Sequence, residues 1–502
     1  MWPAPIGLLR VRTIKRTIWG GDGSSGRLVP VERRASTVTK SGDEAVPAPF
    51  LYASSGPASS SLNFLNFLAN PLFTCVRPVA FLSSPFLMAT IKPFAALRPR
   101  PDLAEKICEL PYDVMSSEEA RELAAGNPLS FLHVSKPEID LPPGANVYAP
   151  EVYAKGKENF RRLIADGALK QDAQPCFYLY RQVMGSHSQV GLVAVASCAE
   201  YLTGIVRKHE LTRPEKEDDR VRHIETLNAQ TGPVFLTYRA MPALDELVAE
   251  KTREAPDIDF VTKDKVRHTS WSIADAAAIN SLEQEFSRVP FLYIADGHHR
   301  SAAAARVYQA RNGAGTSGGF LAVIFPNNQV QILAYHRVLK DLNGMTPARV
   351  LEMLDGIFVI KRNGSGQPTR KHELGLFLDG QWHTLNFRPK FTATTDPIEK
   401  LDATLLQKYV LAPLFGIDDP RTSNRIHFVG GIRGTAELER LVNSGEYGCA
   451  FSMFPTSIEE LMTVADGGGI MPPKSTWFEP KLRDAMFCHM LTHKSAPTPF
   501  SG

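Results

Sequence analysis

The chain has 502 residues, 43% of them hydrophobic and 22% charged, with a formal net charge of +3. That length allows roughly two to four domains with a sizeable core, and the composition excludes a collagen-like, coiled-coil or disordered chain. The charge is uneven: before Met88 nine Lys/Arg face four acids, and after it 47 bases face 49 acids. The body therefore offers no general attraction to nucleic acid.

Residues 1–87 read as a leader. Arg10, Arg12, Lys15 and Arg16 stand in a first stretch without acids, and Ser, Gly, Ala and Pro are frequent in the residues after it. This composition resembles a transit peptide. A mitochondrion or plastid is expected if the leader is real, and the cytoplasm if translation starts at Met88. The apolar stretch 62–87 is broken by Pro71, Arg77 and Pro78, short of the ~20 clean residues of a membrane span. No membrane partner is expected. The six cysteines are widely spaced and form no C-x-x-C pair, which argues against a disulfide scaffold or zinc finger.

From residue 88 the pattern sharpens. Ser116 with Glu119 forms a capping box that opens a helix ending near Ala125, and 151–168 reads as a second helix. Apolar runs at 177–183 and 190–197, separated by Gly185-Ser186-His187, predict paired strands, with further strands at 233–238 and 258–262. A helix is predicted over 273–286, a buried strand over 289–295, an alanine-rich helix over 301–311 and a strand over 319–325. This alternation makes 88–343 an α/β core. Over 344–502, helices at 348–354, 403–411, 435–442 and 457–465 alternate with strands near Phe377, Trp382, His427 and Ala450, which predicts a C-terminal α+β lobe.

The strand at 289–295 runs straight into Asp296-Gly297-His298-His299-Arg300. A helix N-terminus presents free N–H groups, glycine permits close approach, and a guanidinium holds two phosphate oxygens, so the turn predicts a phosphate site. Either histidine suits phosphate donation or proton exchange. The structural alternative makes Asp296 a simple N-cap and leaves the histidines in solvent. No cysteine or further histidine lies close enough in sequence to complete a familiar zinc spacing.

The densest charge run, 207–220, has a partly structural explanation. Thr212 with Glu215 predicts a capping box, Pro214 suits a first turn, and the rest reads as an exposed helix. Lys208-His209-Glu210 precede that cap, and Glu210 is a candidate general base. Asp218 and Asp219 are weaker candidates for a magnesium ion. Tyr112-Asp113, Asn127, Ser130 and His133 read as turn residues. The glycine-rich stretch 466–476 is a loop ending near Lys474, placed to fold over a ligand phosphate.

With these motifs in view, the body resembles a broadly distributed prokaryotic family of unknown function, often labelled ParB-like. The landmarks are Pro111-Tyr112-Asp113-Val114, Asn127-Pro128 with Phe131-Leu132-His133-Val134, Lys208-His209-Glu210-Leu211-Thr212, the 296–300 turn and 471–481. It is more distantly similar to the superfamily of chromosome-partitioning ParB proteins, sulfiredoxin and free-serine kinases. That likeness implies a mixed-sheet core in which the 296–300 turn binds nucleotide phosphate. Sulfiredoxin's reactive cysteine and the partitioning proteins' helix-turn-helix are not evident.

The expected function is a nucleotide-dependent phosphotransferase acting on a small hydroxylated metabolite, such as the amino acid serine. ATP or ADP would be the donor and Mg2+ the metal. Gly297, His298, His299 and Arg300 would hold phosphates, aided by Lys208 and Lys474. Asp296 would bind magnesium or the acceptor hydroxyl, while Glu210, with His209 beside it, would take the hydroxyl proton. The alternatives are a nucleotide-binding switch or adaptor without transfer, and a phosphatase or hydrolase.

Overall fold

Residues 88–492 are described by a computed structural model of the chain. The leader expected over 1–87 lies outside them. The apolar runs of the first half assemble into a nine-stranded mixed sheet. Its strands are β1 Ile91–Lys92, β2 Phe177–Met184, β3 His187–Ser197, β4 Val206–Arg207, β5 Val234–Tyr238, β6 Ile258–Val261, β7 Arg267–Ile273, β8 Leu292–Asp296 and β9 Gly319–Pro326. Their order across the sheet is β4-β8-β5-β9-β3-β2-β7-β6, with β1 also paired to β3. β8 is parallel to β4, β9 is parallel to β5, and the other pairs are antiparallel.

β9 is buried along its whole length, as a strand covered on both faces must be. Four helices frame the site: α1 Pro150–Ala165, α2 Pro214–Leu227, α3 His298–Ala310 and α4 Ile458–Asp466. Ala302, Ala304 and Ala305 of α3 join the core on one face of the sheet, beside Leu282 and Phe286 of the helix Ala276–Phe286. Leu461, Met462, Val464 and Ala465 of α4 cover the other face.

The chain enters a second, antiparallel sheet at Tyr335. Its strands are β10 Tyr335–Leu339, β11 Phe358–Arg362, β12 Glu373–Leu378, β13 Gln381–Phe387, β14 Ile426–Gly430 and β15 Cys449–Ser452, in the order β11-β13-β12-β15-β10-β14. After α4 the chain returns to pack against the first sheet, pairing in short two-stranded ladders beside it. Trp477–Glu479 pairs with Gln331–Leu333, Cys488 and Leu97 exchange backbone hydrogen bonds of 2.9 Å, and His489–Met490 pairs with Ala229–Gln230. Phe478, Leu482, Met486 and Phe487 are buried on this return.

Several elements differ from their expected bounds. The helix expected over 151–168 stops at Ala165, where Gly167 adopts a φ of +68°. The helix expected from Ile273 starts at Ala276, because Asp275 caps it and the preceding residues form β7. The helix expected over 403–411 widens to a π turn at Gln407–Leu411. Pro413 lies just beyond, and its ring and missing N–H disfavour the regular ladder there. No helix among the described residues is long and apolar enough to cross a membrane. Cys108, Cys176, Cys198, Cys449 and Cys488 are free and buried.

Candidate functional site

The turn from β8 into α3 is built around one glycine. The register of β8 against β5 shifts between Ile294 and Asp296, a bulge that re-aims the strand's last side chain. Gly297 is the N-cap of α3 with φ +100°, and a Cβ there would stand 3.1 Å from Arg300 Nε and 3.2 Å from its Cζ. A side chain would meet backbone strain and a tight contact with the Arg300 guanidinium. The N-cap role considered for Asp296 therefore falls to Gly297, and among the described residues no side chain caps this helix.

Asp296 is instead one end of a buried charge network. Its carboxylate accepts from Lys481 Nζ at 3.0 Å and lies 3.7 Å from Arg300 Nη2. Burial opposes ionisation, but Lys481 and then Arg300 outweigh it and hold Asp296 well below the ordinary carboxylate range. Both neighbours are cations, so a magnesium ion expected at Asp296 fits this environment poorly. Arg300 also donates to the Pro233 carbonyl, and it faces the buried Asp484 from the returning segment. Burial pushes Asp484 up to about 7, against the pull of Arg300.

α2 departs from the exposed, box-capped helix that its sequence predicts. Its N-cap is Arg213 with no side-chain cap, and the Thr212 hydroxyl donates to Glu217 instead of closing a box with Glu215. Asp219, Arg220 and His223 are buried. Asp219 accepts from the Tyr153 hydroxyl (2.8 Å) and from Arg220 (2.7 Å), whose guanidinium lies 3.7 Å over the Tyr112 ring. Asp218 pairs with Arg306 at 2.7 Å. Both aspartates considered for magnesium thus already have cationic partners.

Glu210 and His298 meet where the end of the β4 segment passes the start of α3. Glu210 Oε2 lies 3.9 Å from His298 Nδ1. Burial raises the Glu210 pKa, partly offset by Lys474. The His209 and His298 rings stand 4.5 Å apart at 90°. Burial holds His209 down to about 4 and His298 well below its ordinary value, so both are neutral near pH 7. His299 faces the other way, and its Nε2 accepts from the Arg213 backbone N–H at 3.1 Å.

These groups line a cleft of about 460 Å³, within the usual range for ligand sites. Of the residues that the motifs single out, Glu210, Asp296, Gly297, His298, His299, Arg300 and Lys474 all reach its wall. His209 packs behind His298, and Lys208 turns away, with Nζ 4.0 Å over the Tyr201 ring. Lys208 belongs to a neighbouring hollow of about 450 Å³ that also includes Glu210 and His298. The motifs alone place neither Arg213, Lys216 and Arg220 on the cleft wall nor Lys481 behind Asp296. A signal is nonetheless present: Asp219-Arg220 and His223 share one face of α2, a buried polar stripe that reads as a solvated one.

Residues 91–404 match the family described as "Protein of unknown function (DUF1015)". The chain belongs to this family. No curated protein matches the chain. Among solved structures it is distantly similar to a free serine kinase in complex with AMP (14% identity, TM-score 0.31, covering 57% of this chain and 86% of that one). It is also similar to a conserved hypothetical protein from Pyrococcus furiosus (14%, 0.31, 58% and 93%) and to C-terminally truncated SbnI from Staphylococcus aureus (12%, 0.33, 58% and 85%). The chemistry of the cleft is read from its own side chains.

Proposed function

We propose that the cleft binds the phosphates of a nucleotide and passes one phosphoryl group to a hydroxyl of a small metabolite, with ATP or ADP as donor and an amino acid such as serine as a candidate acceptor. The observation that carries this reading is the convergence on one cleft of the uncapped start of α3 with Arg213, Lys216, Arg300 and Lys474. Among the described residues Lys216 and Lys474 form no ion pair, whereas Asp219 and Asp296 on the same wall are already neutralised. The remaining cationic capacity suits a multiply charged anion.

Glu210 borders both the cleft and the hollow beside Lys208, an arrangement that supports a donor on one side of it and an acceptor on the other. It accepts the acceptor's hydroxyl proton as that oxygen bonds to phosphorus. The bond from phosphorus to the nucleotide oxygen breaks, and the nucleotide leaves one phosphoryl group shorter. A carboxylate made more basic by burial suits this task, and positioning with charge neutralisation supplies most of the remaining catalysis.

The test is a thermal-shift screen with ATP, ADP, CTP and GTP, followed by transfer assays over hydroxyl metabolites. A nucleotide at a hundredfold its dissociation constant should stabilise the protein by about 2.7 kcal/mol. In Glu210→Gln, transfer should collapse while nucleotide affinity persists. No shift with any nucleotide removes the reading. Binding without transfer in the native chain favours a switch or adaptor, and free phosphate without a phosphorylated acceptor favours a hydrolase.

A further inference from the structure

The sequence separates His209 from His298 by most of the α/β core, yet the fold brings their rings edge to face beside the Glu210 carboxylate. Among the described residues, no nitrogen of the His209 ring, nor His298 Nε2, makes a hydrogen bond of good geometry, the Ile294 backbone lying close enough to the His209 ring for a weak one only. His209 is 2% and His298 5% exposed. Unpaired buried polar groups are each worth about 1–3 kcal/mol of destabilisation, and an ion bound between the rings would engage one nitrogen of each. One ligand atom from each of His209, Glu210 and His298 lies within 4.8 Å of the others.

We propose that His209, Glu210 and His298 form a binding site for a divalent transition-metal ion. Two imidazoles and one carboxylate are a donor set for zinc, iron, manganese or cobalt, whereas magnesium and calcium prefer oxygen ligands throughout. Bonds of about 2.1 Å at a tetrahedral angle hold two ligand atoms about 3.4 Å apart, so the three donors, now within 4.8 Å of one another, must draw closer when an ion binds, and Glu210, whose side chain is 37% accessible, is the freest of them to move. Glu210 and His298 both border the cleft and the hollow beside Lys208, which gives an ion an entry path and leaves coordination positions open to a ligand. Sequence spacing alone speaks against zinc, because no cysteine or further histidine stands near the 296–300 turn, but tertiary contact supplies the missing ligands.

This inference does not depend on nucleotide binding, and it is read without nucleotide; it competes with the base role given to Glu210 above, because a carboxylate that holds a divalent ion is a poor proton acceptor. The full, untagged chain is stripped with a chelator, dialysed and titrated with Co2+, following the visible ligand-field band, and with Zn2+ in competition. One ion per chain is expected, displaced by Zn2+. Glu210→Gln should weaken Co2+ binding at least about tenfold, and His298→Asn should abolish the band, with circular dichroism of each metal-free variant confirming the fold. Should His298→Asn fail to fold, Glu210→Gln decides alone, since its side chain lies at the cleft edge. A folded native chain that binds no Co2+, or unchanged affinity in Glu210→Gln, overturns the site and leaves the phosphate reading to its own test.

Discussion

α4 enters on Ser457, whose hydroxyl accepts from the Glu460 backbone N–H at 3.1 Å while the Glu460 carboxylate accepts from the Ser457 N–H at 2.9 Å. α3 enters on Gly297, with left-handed backbone and no side-chain cap among the described residues. The first start satisfies two of its donors with its own side chains and borders neither the cleft nor the hollow described above. The second leaves its donors to whatever occupies the cleft, and buried charges from distant segments hold it in shape. A capped end meets part of its own hydrogen-bonding need, whereas the open end of α3 keeps the free N–H groups on which the proposed phosphate site rests.

Substitutions sharpen this contrast, beginning with the largest effect. Arg300→Ala leaves Asp296 with Lys481 alone and removes the cation facing the buried Asp484; it should destabilise the chain by about 2–3 kcal/mol in chemical denaturation, short of the full cost of a broken buried pair because Asp296 keeps one partner. A loss below about 1 kcal/mol would show that Arg300 serves a ligand more than the fold. Gly297→Ala forces an alanine to φ +100° against the Arg300 guanidinium and should cost about 1–3 kcal/mol, with nucleotide affinity falling in a binding titration. Ser457→Ala should cost only about 1 kcal/mol and leave nucleotide affinity untouched. Equal effects of the last two on affinity would erase the distinction between the two starts.

The smallest effect near neutrality appears only on acidification. Burial holds His223, behind the cleft, and His489, on the returning segment, down to about 4. Their folded forms bind fewer protons than the unfolded chain does, so their contribution is present above the ordinary histidine range near ~6.5 and is lost as pH falls from there through about 4. Urea titrations across that window should show stability falling with pH, and less steeply in His489→Asn. A flat profile would contradict the burial of these rings.

Much of the frame was legible from residue order alone. The capping box at Ser116 forms as expected, and the helix expected from Ser457 opens on a second, unexpected box; both close with the glutamate three residues on. The strands at Phe177–Met184, His187–Ser197 and Gly319–Pro326 follow their apolar runs. β7 was missed because His268, Thr269 and Ser270 are polar yet fully buried, His268 being paired with the Tyr180 hydroxyl at 2.7 Å. Local spacing cannot reveal a partner 88 residues away. The same limit hid the site's supports: Lys481 lies 185 residues from the aspartate it neutralises. The 296–300 turn was visible because strand, glycine and alanine-rich helix are contiguous, whereas the buried face of α2 becomes apparent only once Tyr112 and Tyr153 pack against it.

The returning segment has a consequence for how the molecule comes into being. Lys481 and Asp484 reach the first sheet from near the end of the chain, although the turn they support was completed almost two hundred residues earlier. A nascent polypeptide emerging from the ribosome carries Asp296 and Arg300 long before their remaining partners exist. The cleft therefore matures only once residues 477–490 have been made, and a chain cut short before residue 477 would leave Asp296 without Lys481.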